Sequence, residues 1–249
     1  MKKILGILGG MGPQATIDLQ QKILNLTSAQ KDQDHIRIFT DSHPQIPDRM
    51  TAIISSGVSP ASAMQKSLNK LISCGAQRIV MPCVTAHYYY KDMIVPPTIK
   101  FLNLLEITAL ACKSKFAGKK AGILCTHGTA KTGIVAAELE KQNIPYIQPT
   151  DDNMNLLSKL ILQVKAKGDM DETARNLGGI ASEMSGRGAE YFVLACTEIP
   201  LIVQHGDFKY PYVDCTEELA KAAIKACGYV VVFKDLGKDL GALPQTPPL

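Results

Sequence analysis

The 249-residue sequence has no run of about eighteen apolar residues, so it offers no membrane-spanning helix. It has no Cys-x-x-Cys pair: the seven cysteines stand at 74, 83, 112, 125, 196, 215 and 227, and the five histidines are scattered. A structural zinc site needs its ligands clustered, so none is expected. An odd number of cysteines in a chain this long argues against a disulfide framework. What remains is buried thiols, reactive thiols, or some of each. Clustered charge is missing as well. The net charge of +4 is spread along the chain, so a basic groove for nucleic acid is not indicated.

What is present is an ordinary globular inventory, 46% hydrophobic and 20% charged, with length for one large α/β domain or two small ones. The opening Met1-Lys2-Lys3 followed by Ile4-Leu5-Gly6-Ile7-Leu8-Gly9-Gly10 has the outline of a signal peptide. Its apolar part is too short and breaks into glycines, so a first buried strand and a cytoplasmic protein are expected.

Short apolar runs alternate with longer helix-period segments, the pattern of βαβ units around a parallel sheet. Strands are expected at residues 3–9, 35–40, 78–81, 120–125, 145–148 and 191–195. Helices are expected at 16–26, 60–72, 132–142, 153–164, 171–184 and 214–226.

The sequence also repeats itself. Lys2-Lys3-Ile4-Leu5-Gly6-Ile7-Leu8 matches Lys119-Lys120-Ala121-Gly122-Ile123-Leu124, which sets Gly12 opposite Gly128. The run from Gly75-Ala76 through Val80 to Cys83 matches the run from Gly188-Ala189 through Val193 to Cys196. Each cysteine follows its glycine by eight residues, and the separations Gly6 to Cys83 and Gly122 to Cys196 are 77 and 74 residues. A tandem duplication follows: two pseudo-symmetric parallel-sheet α/β units, 1–97 and 98–212, with the active site in the cleft between them. Residues 213–233 are expected to pack back on the first unit. The tail 234–249, rich in glycine and proline, is expected to be poorly ordered.

Ligands of open parallel sheets sit beyond the carboxyl ends of the strands, where Cys83 and Cys196 both fall. A thiol there faces backbone N–H groups and the positive end of a helix, which favours the thiolate. Two acid/base groups on opposite sides of one stereogenic carbon suit removal of a proton from one face and its return on the other, which is racemisation. The loops Gly9-Gly10-Met11-Gly12 and Thr126-His127-Gly128-Thr129 offer amides for a carboxylate. The first is not spaced Gly-x-Gly-x-x-Gly and runs into Pro13, which argues against a dinucleotide loop with Asp41 as ribose partner. Thr85 and His87 follow Cys83; Thr197 and Glu198 follow Cys196. The two threonines can hydrogen-bond substrate or thiolate. His87 is open to two readings, a group that sets its neighbours' protonation or a cap on the next helix. Glu198 is open to the first of these or to being a first-turn helix charge. Cys74, Cys112, Cys125, Cys215 and Cys227 have no such pairing and are read as packing.

Four motifs resemble the aspartate/glutamate racemase family: Gly9-Gly10-Met11-Gly12-Pro13-Gln14-Ala15-Thr16, Ile46-Pro47-Asp48-Arg49, Pro82-Cys83-Val84-Thr85-Ala86-His87 and Ala195-Cys196-Thr197-Glu198-Ile199. The resemblance covers about residues 1–227. It implies a racemase with no cofactor, in particular no pyridoxal phosphate, and with Cys83 and Cys196 as alternating acid and base. It also implies a homodimer and an amino-acid substrate. Gly10, Met11, Thr85, Thr126, Gly128, Thr129 and Thr197 would surround that substrate. Arg49 resembles the family's carboxylate-binding arginine, a role its planar fork suits; a structural pair with Asp48 or another acid is the alternative. Lys165 best matches a lysine that has a similar part in some members, with Lys167 as the alternative match; a solvated helix position is the other reading of Lys165. One position departs: Val84 stands where the family has asparagine, and an apolar side chain makes none of the amide's hydrogen bonds. The alternatives are a relative acting on another small acid (a hydantoin racemase, maleate isomerase or decarboxylase) and a non-catalytic small-acid binding protein.

Overall fold

The computed structural model describes residues 1–232; the tail expected at 234–249 lies outside them. Its strands are β1 (Leu5–Gly9), β2 (Ile38–Ser42), β3 (Arg78–Val80), β4 (Lys100–Phe101), β5 (Ala121–Cys125), β6 (Tyr146–Ile147), β7 (Tyr191–Ala195) and β8 (Tyr212–Asp214). Its helices are α1 (Pro13–Leu26), α2 (Arg49–Ile54), α3 (Ala61–Ser73), α4 (Leu104–Lys115), α5 (His127–Thr132), α6 (Ile134–Lys141), α7 (Asp151–Ala166), α8 (Met170–Gly186), α9 (Ile199–His205) and α10 (Cys215–Ala226). Every strand pairing within the sheets is parallel. The orders are β2-β1-β3-β4 and β6-β5-β7-β8, one topology used twice, as the internal repeat predicts. The central strands β1, β5 and β7 are buried along their whole length, which is why they read as unbroken apolar runs.

The repeated glycines have matching physical reasons. A Cβ on Gly6 would stand 2.7 Å from Ile79 and 2.9 Å from Ala76; one on Gly122 would stand 2.7 Å from Phe192 and 3.2 Å from Ala189. Those neighbours are themselves equivalent in the repeat. Gly75 and Gly188 follow the ends of α3 and α8 with φ of +92° and +100°, a conformation that side chains other than glycine rarely adopt.

The units share a core. One apolar cluster joins Leu5 and Ile7 of β1 and Leu19 of α1 to Ala109 of α4, Ile123 of β5, Val193 of β7 and Leu219 of α10. Two further clusters cover the outer faces, around Leu68 and Ile79 in one unit and Ile180 and Phe192 in the other. A buried ion triad crosses the shared layer, with Lys22 Nζ 2.6 Å from Asp18 Oδ2 and 2.7 Å from Asp214 Oδ2. Asp214 also caps α10 by accepting from Thr216 and Glu217 N–H, so the triad ties α1 to the start of α10.

The sheets do not follow the expected boundary at 97/98. Lys100 and Phe101 pair with Arg78 and Ile79 in the first sheet, and Tyr212–Asp214 pairs with β7 in the second although 213 onward was expected on the first unit. Both strands are edges of two or three residues, too short to show a period. After α10 the chain runs along the first unit: Cys227 O accepts from Lys3 N at 2.9 Å, and Val232 N donates to Leu26 O at 2.8 Å. No described helix is long and apolar enough to cross a membrane.

Candidate active site

Cys83 follows the end of β3 and Cys196 follows the end of β7, equivalent strands of the two units. Both line one cavity at the carboxyl edges of the sheets. Met11, Arg49, Val84 and Thr85 of the first unit and Thr126, Lys165, Thr197 and Glu198 of the second line it with them. Gly10, His87, Gly128 and Thr129 lie outside that lining.

Hydroxyls close the floor between the units. Thr85 Oγ1 lies 3.1 Å from Thr126 Oγ1 and 2.8 Å from Thr129 Oγ1, and Thr126 Oγ1 lies 2.9 Å from Thr129 Oγ1. Thr129 thus contributes from behind the wall. Thr197 Oγ1 reaches the Pro82 carbonyl at 3.4 Å, linking the chain beside one cysteine to the chain beside the other.

The Cys196 surroundings overturn one expectation. Its thiol was expected to favour the thiolate, but burial, followed by the charge of Glu198, pushes it well above the usual range, with Lys165 opposing. Sγ donates to Glu198 Oε2 at 3.1 Å, and Glu198 is itself buried. Lys165 Nζ lies 3.8 Å from Glu198 Oε1. Burial alone would lower the Lys165 ammonium; attraction from Glu198, Cys196 and Cys83 outweighs it and raises the group. Lys165 sits in the last turn of α7 and Lys167 caps that helix in a left-handed conformation; both are exposed, and Lys165 alone of the two lines the cavity.

Arg49 is buried at the start of α2, and its Nη1 donates to the Ile46 and Pro47 carbonyls at 3.2 and 3.1 Å. Its Nε is buried with no partner, and among the described residues Arg49 makes no ion pair, with Asp48 or otherwise. Asp48 instead caps α2 through Thr51 N–H at 2.7 Å. Burial pushes the Asp48 carboxyl up, but the Thr51 hydrogen bonds and the charges of Arg49 and Lys165 hold it below its ordinary value.

Two of the loop amides expected to be offered to a carboxylate are engaged within the fold. Gly10 N–H donates to Thr16 Oγ1 at 2.9 Å, and Gly128 N–H points at Met50 Sδ at 3.0 Å. The first donor is used within its own strand–helix turn and the second in a contact between the units. Val84 is buried in the shared core and also lines an apolar pocket with Leu104 and Ala195. The other cysteines are free; Cys112, Cys125, Cys215 and Cys227 are buried, whereas Cys74 is exposed at the end of α3.

The profile of the family described as Asp/Glu/Hydantoin racemase matches residues 8–223. The chain belongs to this family. The broad specificity amino-acid racemase RacX of Bacillus subtilis (strain 168) is 27% identical over 234 residues, 89% of this chain and 96% of that protein. The structure of an aspartate racemase from Picrophilus torridus superposes with a TM-score of 0.84 at 33% identity, covering 92% of this chain and 96% of that one. Glutamate racemase from Francisella tularensis subsp. tularensis SCHU S4 shares the fold, with a TM-score of 0.65 at 14% identity over 90% of this chain and 81% of that one.

In this racemase-family cleft, sequence reasoning missed two lining residues, Asp48 and Met50. Asp48 lies inside the Ile46-Pro47-Asp48-Arg49 motif and had been weighed only as a partner for Arg49. Met50 carries no chemical signature. Only the fold shows that α2 crosses to α5 and brings its sulfur to Gly128.

Proposed function

We propose that this chain is an amino-acid racemase that interconverts the L and D forms of aspartate, glutamate or a related acid by proton transfer between Cα and two thiols, without pyridoxal phosphate. The observation that carries this reading is the meeting of Cys83 and Cys196, equivalent strand ends of two repeated units, in one cavity. One thiolate takes the α-proton as the Cα–H bond breaks, the electron pair moves into the carboxylate-stabilised carbanion, and the other thiol delivers its proton to the opposite face. The thiols exchange roles for the other enantiomer.

Cys196, held as the thiol by burial and Glu198, is the donor in the resting protein. Arg49, with a buried unpartnered Nε, supplies a cation for substrate carboxylate. Lys165 adds positive charge where negative charge develops, and the Thr85, Thr126 and Thr197 hydroxyls offer hydrogen bonds around the substrate. A cytoplasmic homodimer is part of the same reading. Val84 favours a second one, in which the substrate is another small acid, because its buried apolar side chain offers no hydrogen bond beside Cys83. The test is incubation with a panel of L and D acids in heavy water. Deuterium at Cα together with inversion supports racemisation and names the substrate. Tight binding without exchange on any acid supports a binding protein instead.

A further inference from the structure

His87 stands four residues after Cys83, and a histidine so close to a thiol invites reading as its acid–base partner. The hydrogen bonds point elsewhere. Nδ1 lies 2.8 Å from the Cys83 carbonyl oxygen, and Nε2 lies 3.2 Å from the Leu104 backbone nitrogen. A carbonyl only accepts and a backbone N–H only donates. Nδ1 must therefore carry the hydrogen and Nε2 must present its lone pair. Both ring nitrogens are engaged by backbone, so neither is free to take a proton from a thiol.

We infer that His87 is a positioning residue: a neutral strut, held as the Nδ1–H tautomer, that ties the Cys83 carbonyl to the first turn of α4 and takes no part in proton transfer. A second proton on the ring would set Nε2–H against Leu104 N–H. Burial pulls the imidazole down to about 4, a pull that the bond to the Cys83 carbonyl only partly offsets, and no charged side chain contributes to the shift. The Phe101 ring covers it edge-on at 6.1 Å. At its other end the strut completes a helix start. Asn103 Oδ1 accepts from Leu105 N–H at 2.9 Å while His87 takes Leu104 N–H, so α4 opens with both amides satisfied.

What α4 then touches gives the strut its reach. Leu104 and Leu105 lie in the core shared by both units, facing the same pocket as Ala195, the residue before Cys196. The backbone of one cysteine is thus anchored to a helix packed near the other. Proton transfer from both faces of one carbon depends on that spacing, and a misplacement of about 1 Å can cost on the order of a hundredfold in rate.

The first test is independent of the racemase reading: long-range 1H–15N spectra of the folded wild-type protein from pH 8 to 5, with His87→Asn to assign the ring. The expected spectrum has hydrogen on Nδ1 alone across the whole range. Hydrogen on Nε2 at neutral pH, or titration near the ordinary value of about 6.5, overturns the inference. The second test rests on that reading. His87→Leu removes the bond to Cys83, and its kcat is expected to fall by about tenfold or more with KM within about twofold. His87→Asn keeps an N–H directed at the Cys83 carbonyl and restores much of the rate. Asparagine no better than leucine, or a loss confined to KM, contradicts the strut. Absence of any racemisation in the wild type would defeat the proposed function, and the spectra would still decide the tautomer.

Discussion

The Cys196 thiol donates to the buried Glu198 carboxylate at 3.1 Å, and Lys165 stands 3.8 Å from the other oxygen of that carboxylate. Cys196 therefore meets an anion directly and a cation only across it. Within the two-fold repeat, Cys196 thus has a buried carboxylate as its partner before any substrate arrives.

The effect of that carboxylate on Cys196 is measurable by alkylation. The negative charge of Glu198 raises the Cys196 thiol and Lys165 lowers it, both acting on a group already raised by burial. Glu198→Gln is expected to move the onset of Cys196 alkylation to lower pH, and Lys165→Met to move it to higher pH. Peptide mass spectrometry after timed iodoacetamide labelling across pH reads both shifts. Identical profiles for all three proteins would contradict the assigned contacts.

His87 sets an acid limit on stability. Its ring is neutral in the fold and titrates at about 4, whereas in the unfolded chain it takes a proton near 6.5. Its contribution is whole above pH 6.5 and is lost as pH falls toward 4, by up to about 3 kcal/mol. His87→Asn cannot titrate, so urea unfolding at pH 7.5 and pH 4.5 should show a smaller acid loss than the wild type. An equal loss in both proteins would place the acid sensitivity elsewhere.

Two glycines of the second unit, Gly122 and Gly178, predict opposite outcomes for one chemical change. Gly122→Ala puts a methyl 2.7 Å from the Phe192 ring and is expected to cost about 1–3 kcal/mol. Gly178→Ala, inside α8 with nothing within 4 Å of the new methyl, is expected to stabilise by up to about 1 kcal/mol. Thermal unfolding separates the two. A neutral Gly122→Ala would mean that β7 does not press on β5 as described.

Legibility in the sequence follows element length and burial. The fully buried β1, β5 and β7 and the amphipathic α3, α7 and α8 fall within a few residues of expectation. The edge strands β4 and β8 give no period, and both follow prolines. Helix α4 escaped notice because its position at the inter-unit layer blurs its polar face: Leu104, Leu105 and Ala109 are buried while Leu110 is exposed. The helix expected at 132–142 is broken at Gly133, whose φ is +66°. At the site, residue types that announce chemistry were legible by their repetition. The direction of the Cys196 shift was not, because it depends on Glu198 folding back onto the thiol two residues earlier in the chain. The use of the Gly10 and Gly128 amides was equally hidden, since Thr16 and Met50 claim them only in the folded chain.

The central claim is that two thiols share one proton transfer. Racemisation measured by circular dichroism or chiral chromatography on the acid that exchanges α-deuterium tests it, in wild type, Cys83→Ser and Cys196→Ser. Each single variant is expected to lose racemisation by at least about a hundredfold from either enantiomer, with the fold retained. Wild-type turnover in either variant would contradict the two-thiol account.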